Sequence, residues 1–223
     1  MDESARVTTD GSPASYLTIA GPVRAEVVTK RSRFVCDLEP ASSEQAARTV
    51  IEQVRAGSRE AGHHCTAFVL GPDRGLQRSN DDGEPSGTAG MPMLEVLRGA
   101  GVTDVVTVVT RWFGGVLLET GGLIRAYGDA VHAALETATA ARYELSVILA
   151  TSVPHADGPR LENALRTRGG LRVVDVEYAA HGVTVRVAVA PDGVAAAGSM
   201  LAELTGGTAR FEPVGREWVR IGA

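Results

Sequence analysis

The feature that most restricts the fold is a run of β-branched residues in the middle of the chain. Asp104–Trp112 contains the stretch Val-Val-Thr-Val-Val-Thr. Such a run favours a β-strand, and its nearly continuous apolar character predicts burial on both faces. The strand ends at Phe113-Gly114-Gly115. We therefore expect a central strand covered on both sides.

Shorter patterns around this strand predict the other elements of the first half. They are a strand pair within 23–39, a helix over 43–56, strands at 65–70 and 76–78, a helix over 92–99 and a long helix from 120. Ser42 and Gln45 have the spacing of a capping box at the start of the first helix. The turn of the strand pair, at Lys30-Arg31-Ser32, is basic and should be exposed.

The last third of the chain has a different element order. It reads strand 143–150, helix 158–167, strand 171–178, strand 183–189, helix 193–204 and strand 208–213. That order, βαββαβ, is typical of a ferredoxin-like domain. We therefore predict an α+β protein with a polar, disordered tail over 1–15, a first domain over 16–141 and a ferredoxin-like domain over 142–223.

Charge and composition exclude several classes of protein. The net charge of -5 excludes a uniformly basic nucleic-acid coat, and the nine basic and nine acidic residues of 142–223 place the whole excess in the first part. No apolar run is long enough to span a bilayer, so we expect no membrane and a cytoplasmic location. The two cysteines, Cys36 and Cys65, predict neither a disulfide framework nor a zinc site, and both should be buried.

Glycine is concentrated where function is best sought. Fourteen of the 26 glycines fall between Gly57 and Gly128. Many of them lie in three loops, at 83–90, 113–115 and 120–122, and we call the surface predicted to unite these loops the glycine-rich face. Glycine at such density indicates tight turns or close approach of backbone to another group.

The first of these loops carries three carboxylates, Asp81, Asp82 and Glu84, before a predicted helix start. They could hold a hard cation, or the amides of 87–90 could bind an anion. A solvated turn is the third interpretation. The spacing does not match a calcium loop, so we expect no metal site.

The other two loops contain the elements of an anion pocket. Arg111 precedes Gly114-Gly115, and Thr120-Gly121-Gly122 opens the long helix with Arg125 one turn in. Free amides, glycines and a guanidinium bind anions well. A bulged strand end with glycine-lined packing explains the same residues, and neither glycine pair matches a nucleotide-binding fingerprint.

His63-His64-Cys65 enters a predicted strand. Because adjacent strand residues face opposite ways, at most one histidine can point into a site shared with the loops, and the other should be exposed. A structural histidine and a general base are both open interpretations. Cys65 beside His64 is also a candidate reactive thiol.

Together these motifs resemble the YigZ/IMPACT family. The resemblance covers 16–140 and rests on Ser32-Arg33-Phe34, His63-His64-Cys65, 81–90, Arg111–Gly115 and 120–127. It implies a first domain with the βαβ-rich fold of a ribosomal-protein superfamily and a second similar to a domain of elongation factor G. It also implies a role around translation, since eukaryotic members regulate a starvation-response kinase by competing for its activator. Met91, Leu117 and Glu119 make this site less basic than the family pattern.

Three functional hypotheses are compatible with these residues. The first is a binding protein, not an enzyme, that contacts RNA, the ribosome or a ribosome-associated protein through the glycine-rich face without a cofactor. The second is an enzyme acting on a small anionic or phosphorylated substrate; a third, narrower interpretation is protein–protein interaction alone. In the enzyme hypothesis, His63 or His64 and one of Asp81, Asp82 and Glu84 are the candidate acid/base groups. The candidate binding residues are His63, His64, Asp81, Asp82, Glu84, Gly87, Thr88, Gly90, Arg111, Gly114, Gly115, Thr120, Gly121, Gly122 and Arg125.

Overall fold

A computed structural model describes residues 13–221. The chain divides into two compact units, one ending at Arg142 and the other running from Tyr143 to Ile221. Most of the tail predicted over 1–15 lies outside the described residues, whereas its last residue, Ser15, begins the first strand. Each unit has its own apolar core.

The first unit is built on an antiparallel five-stranded sheet. The strands of this sheet are β2 Val23–Thr29, β3 Ser32–Pro40, β4 His63–Leu70, β5 Leu76–Asn80 and β6 Val105–Trp112. The unit also contains a short strand outside this sheet, β1 Ser15–Ile19, and the helices α1 Glu44–Gly57, α2 Gly90–Ala100 and α3 Thr120–Thr137. The sheet order is β2-β3-β6-β4-β5, so the β-branched run occupies the middle position.

Both faces of β6 are covered, as its apolar run predicts. Val106 packs with Ala47 and Val50 of α1 on one face. Val109 on the opposite face packs in the cluster that contains Met93 of α2 and Ala130 of α3. All seven residues from 105 to 111 are buried. The candidate functional site lies at the C-terminal end of β6, near Arg111.

Local chemistry explains two details at the edges of this unit. The cap of α1 is Ser43, whose Oγ accepts from the amide of Ala46, one residue later than the predicted Ser42. In the strand pair, Thr29 pairs with Ser32, which leaves a two-residue turn of Lys30 and Arg31 with φ of 46° and 66°. Two left-handed residues between paired strands match the right-handed twist of a hairpin. Lys30 and Arg31 are exposed, as expected, whereas Ser32, the third residue of the predicted turn, is buried and begins β3.

The second unit has the predicted ferredoxin-like arrangement. Its elements are β7 Ala140–Val153, α4 Gly158–Thr167, β8 Arg172–Ala179, β9 Gly182–Val189, a 3₁₀ turn Pro191–Gly193, α5 Val194–Thr205 and β10 Glu212–Ile221. Strand β7 pairs with both β9 and β10, and β8 lies beyond β9. The order β10-β7-β9-β8 with two helices is the split arrangement that the element order predicted.

The strand predicted over 208–213 is wrong, because the residues after α5 complete the helix end. Gly206 caps α5 in the left-handed conformation. The Thr208 hydroxyl donates to the Thr205 carbonyl, and the Ala209 amide donates to Thr205 Oγ1. Residues engaged in such a cap are unavailable for a strand ladder, so β10 begins only at Glu212.

Candidate functional site

A buried carboxylate, Glu84, lies at the centre of the candidate site. Its Oε1 accepts from Arg111 Nη1 at 2.6 Å and from the Tyr127 hydroxyl at 2.7 Å. The side chains of Glu84 and Arg111 are only 3% and 8% exposed. Charge-assisted hydrogen bonds of this kind are strong. They join the loop that carries Glu84 to Arg111 on β6 and to Tyr127 on α3 through one carboxylate oxygen.

The turn that brings Glu84 back to the sheet explains the local sequence. The Glu84 amide donates to the Asp81 carbonyl at 2.9 Å. Between them Asp82 and Gly83 have φ of 45° and 86°. Aspartate and glycine are among the residues that tolerate the left-handed region best. The Asp-Asp-Gly-Glu sequence therefore encodes a tight turn that directs Glu84 inward.

His63 faces this cluster from β4. Its Nδ1 lies 2.8 Å from the Asp82 carbonyl, which can only accept, so Nδ1 is the donor and Nε2 is the ring nitrogen that faces the cluster. That Nε2 lies 4.0 Å from Glu84 Oε1. The pair satisfies the proximity that the enzyme hypothesis requires, because a general base must be within or near hydrogen-bond reach.

His64 points to the opposite face, as strand alternation predicts, but it is buried rather than exposed. Its Nε2 lies 3.1 Å from the Ser58 carbonyl and 3.0 Å from Ser58 Oγ at the end of α1. The carbonyl fixes the Nε2 proton. Asp82 holds the same region together, since its carboxylate accepts from the His64 amide and from Arg55 Nη2, each at 2.7 Å.

The amides at the start of α2 already have an anion, which is Asp81. Its carboxylate accepts from the amides of Gly87, Ala89 and Gly90 at 2.8 to 3.1 Å. Burial alone would raise the pKa of Asp81, but these three hydrogen bonds outweigh it and hold the pKa below its usual range. The expected cradle for a ligand at 87–90 is thus filled by the chain's own carboxylate.

Arg111 likewise differs from the expected ligand-binding cation, because Glu84 takes its charge. Its guanidinium also lies 5.5 Å from the Phe34 ring and 5.8 Å from the Phe113 ring. Its Nε is buried and has no hydrogen-bond partner within residues 13–221. Among those same residues, no group of three or more His, Cys, Asp and Glu side chains is placed to hold a metal ion.

Gly114 serves the packing interpretation. A Cβ there would stand 2.0 Å from the carbonyl carbon and oxygen of Arg31, and the Gly114 amide donates to Ser32 Oγ at 3.3 Å. Only glycine permits such backbone contact. The loop after β6 is therefore locked against the basic hairpin turn.

Three other glycines are open to their surroundings. At Gly87, Gly115 and Gly121 a Cβ would meet nothing within 4 Å. The first two have φ of 77° and 82°, which accounts for glycine. Gly121 lies in α3 and has neither crowding nor a left-handed backbone, so no packing need explains it.

The remaining candidate residues have local contacts. Thr88 is buried, and its hydroxyl donates to the Pro85 carbonyl at 2.7 Å. The Gly122 amide donates to the Glu119 carbonyl in the first turn of α3, which begins at Thr120. Arg125 is exposed, and its Nε donates to the Gly121 carbonyl at 3.3 Å. Gly122 and Arg125 thus lie at the start of α3, whereas Thr88 is part of the buried loop before α2.

Cys65 lies beside the cluster as an inert thiol. Its Sγ donates to the Asp81 carbonyl at 3.0 Å. Burial raises its pKa to about 12, helped by the nearby carboxylates. Burial also raises the pKa of Tyr127 far above its usual range, so its hydroxyl stays a donor to Glu84. A thiol this basic is not a nucleophile near neutral pH.

The sequence did not single out Tyr127, Arg55 or Ser58 as site residues. Tyr127 carried a usable signal, because a tyrosine on the buried ridge of a helix must find a partner for its hydroxyl. Arg55 and Ser58 carried none, since their partners lie 27 and 6 residues away and are brought close only by the fold.

Comparisons with known proteins agree with these features. The model of the Impact N-terminal domain matches residues 30–135, and a domain of unknown function (DUF1949) matches 151–208. An IMPACT family member from Escherichia coli, YigZ, is 38% identical over 196 residues, which are 87% of this chain and 95% of that protein. IMPACT family member YvyE of Bacillus subtilis is 43% identical over 152 residues, 68% of this chain and 70% of that protein.

A solved structure has a similar fold. A crystal structure described only as that of a hypothetical protein is 35% identical and superposes with a TM-score of 0.61. The match covers 90% of this chain and 98% of the other. None of the described helices is long and apolar enough to cross a membrane.

Proposed function

The chain belongs to the IMPACT family, as its motifs predicted, and from that premise we propose that it is a translation-associated regulatory protein. It acts by binding RNA, the ribosome or a ribosome-associated protein through the glycine-rich face. Family membership supports the translation-associated role, and the surface chemistry supports binding through this face. The proposal places the protein in the cytoplasm.

The observation that carries the proposal is the exposed apolar surface beside Gly121, at the start of α3. Gly121 is the second residue of α3, and no crowding at its Cβ and no left-handed φ calls for glycine there. Beside it the loop before α3 exposes Leu117, whose accessible fraction is 82%, and Phe113, at 57%. Bare backbone next to exposed apolar side chains suits close approach by a partner.

The enzymatic alternative is favoured by one observation, the approach of His63 Nε2 to Glu84. The same site opposes it, because Arg111 and Tyr127 both donate to the carboxylate oxygen that faces His63. Glu84 also neutralises Arg111, so a phosphorylated substrate could not use that buried guanidinium as its cation. The geometry therefore supports a binding surface better than a reaction centre.

Gly121→Ala tests the proposal, because the added Cβ fits the folded protein and would obstruct only a partner that approaches the backbone at this position. We expect the variant to be about as stable as the wild type, because the new Cβ meets no neighbouring atom, and to lose association with ribosomes in sucrose-gradient sedimentation at low salt. Gly99→Ala is the control, since Gly99 is in α2 with open space at its Cβ. Undiminished sedimentation of Gly121→Ala, or no sedimentation of the wild type, would contradict the proposal.

A further inference from the structure

We propose that the basic hairpin turn and the loop after β6 together bind single-stranded RNA, with bases stacking on Phe113 and phosphates contacting Lys30 and Arg31. The inference rests on the proposed function and names the class of partner. We call these residues, with Leu117, the turn–loop surface.

The two parts of this surface are held as one piece. The Gly114 position lies against the Arg31 carbonyl, so closely that a Cβ would stand 2.0 Å from it. Ser32 Oγ accepts from the Gly114 amide, and Arg33 pairs with Trp112 in the strand ladder. The backbone that follows Phe113 is therefore in direct contact with the backbone of the basic turn.

The turn contains two charged residues at positions where the backbone conformation favours other residue types. Two-residue turns of this kind prefer Asn-Gly, because both positions are left-handed. Here they hold Lys30 and Arg31, at φ of 46° and 66°. Both side chains are exposed, and neither forms an ion pair with any residue of 13–221. Two unpaired cations at a strained turn are consistent with a site for anions.

Phe113 adds an exposed aromatic ring, on which a base can stack, to a turn that can contact only phosphates. More than half of its surface is exposed, and the next residue, Gly114, contacts the backbone of Arg31 in the basic turn. An exposed aromatic ring beside cations is the combination that binds unpaired bases, because every base has a π-face and every nucleotide a phosphate. Paired bases present no such face, so the surface favours a single strand over a duplex.

The net charge of -5 is compatible with this surface. Acidic groups more than about 10 Å away are largely screened at 0.1 M salt. Nearby, Glu26 is paired with Arg33 at 3.0 Å and Asp37 with Arg24 at 3.6 Å. Two of the three acids of the hairpin are thus neutralised by its other arginines, and the third, Glu39, lies at the end of β3 away from the turn, which leaves the charges of the turn uncompensated.

The test measures fluorescence anisotropy of labelled twelve-nucleotide oligouridylate and oligoadenylate at low salt. Lys30→Asn with Arg31→Gly installs the preferred turn pair, so we expect a fold at least as stable as the wild type. RNA affinity should fall about tenfold or more, and the slope of log affinity against log salt should fall by about 1.4 for two lost phosphate contacts. Arg78→Ala is the control, on β5 at the opposite edge of the sheet.

Two variants of Phe113 separate RNA from a protein partner. Phe113→Tyr keeps a stacking ring and should retain affinity, whereas Phe113→Leu keeps an apolar surface without a π-face and should lose about tenfold. Equal binding by Phe113→Leu and wild type, or no binding of either oligonucleotide by wild type, would overturn the inference. If the wild type still sediments with ribosomes in that case, the proposed function stands with a protein partner; if sedimentation also fails, both fall.

Discussion

Arg111 Nη1 lies 2.6 Å from Glu84 Oε1, and both side chains are nearly withdrawn from solvent. In such a pair the desolvation of each charge is compensated mainly by the other. Two residues that the sequence predicted to bind a ligand therefore form a structural link between the 81–84 turn and the central strand.

Glu84→Gln should destabilise the protein by about 3–5 kcal/mol, because it leaves a buried guanidinium without its counter-charge. Tyr127→Phe removes one hydrogen bond to the carboxylate and should cost less, about 1.5–3 kcal/mol. Glu26→Gln breaks an exposed pair with Arg33 and should cost under about 1 kcal/mol. Urea unfolding followed by circular dichroism measures all three. A loss for Glu84→Gln no larger than for Glu26→Gln would contradict the link.

Asp81→Asn should destabilise the protein by about 1–2 kcal/mol at neutral pH, because three amides at the start of α2 lose a charged acceptor. The pKa of Asp81 is lowered in the folded protein from 3.8, so its stabilisation is complete above that value and disappears as the pH falls through the folded pKa. The difference between wild type and variant should therefore be constant above about pH 5 and shrink below pH 4. Unfolding curves across pH 2.5–7 check this, and a constant difference would refute it.

Gly114→Ala should be severely destabilising, since its Cβ would overlap the backbone of Arg31 and neither backbone is free to move without breaking the strand ladder. We expect a loss of several kcal/mol. Gly57→Ala, at the end of α1 with open space around its Cβ, is the matched change that should cost little. Comparable melting temperatures for the two variants would show that the loop after β6 is not locked to the hairpin turn.

Both cysteines should resist alkylation in the folded protein. Burial raises the pKa of Cys36 and of Cys65 to about 12, so at pH 8 the thiolate fraction is about one in ten thousand. A thiol reagent should label neither residue until denaturant is added, and then both. Rapid labelling of one native thiol, assigned with Cys65→Ser, would instead indicate a reactive cysteine.

The sequence was sufficient for the elements whose periodicity is strong. The β-branched run predicted a strand buried on both faces, and α1 and the α2–α3 pair provide that cover. The βαββαβ order predicted the sheet of the second unit. The misplaced strand at 208–213 shows where periodicity is insufficient, because hydrogen bonds to Thr205 decide the conformation there.

The sequence predicted many of the residues of the candidate site, but not which of them bind one another. His63, Asp81, Asp82, Glu84 and Arg111 do lie near one another or near the same turn. Their charges, however, are satisfied within the chain: Asp81 by the α2 amides and Arg111 by Glu84. A sequence shows which groups could bind an anion or a cation, whereas only the fold shows that they bind each other.

The shared hydrogen bonds of Glu84 also bear on motion. The Glu84 carboxylate joins the turn to β6 and α3. Opening the turn alone would therefore leave the buried Arg111 guanidinium without its counter-charge. Amide hydrogen exchange in 81–90 should consequently proceed with the unfolding of the whole unit rather than by local fluctuation. A partner arriving at this end of the sheet would meet a shape already set, and association would require little ordering of the backbone.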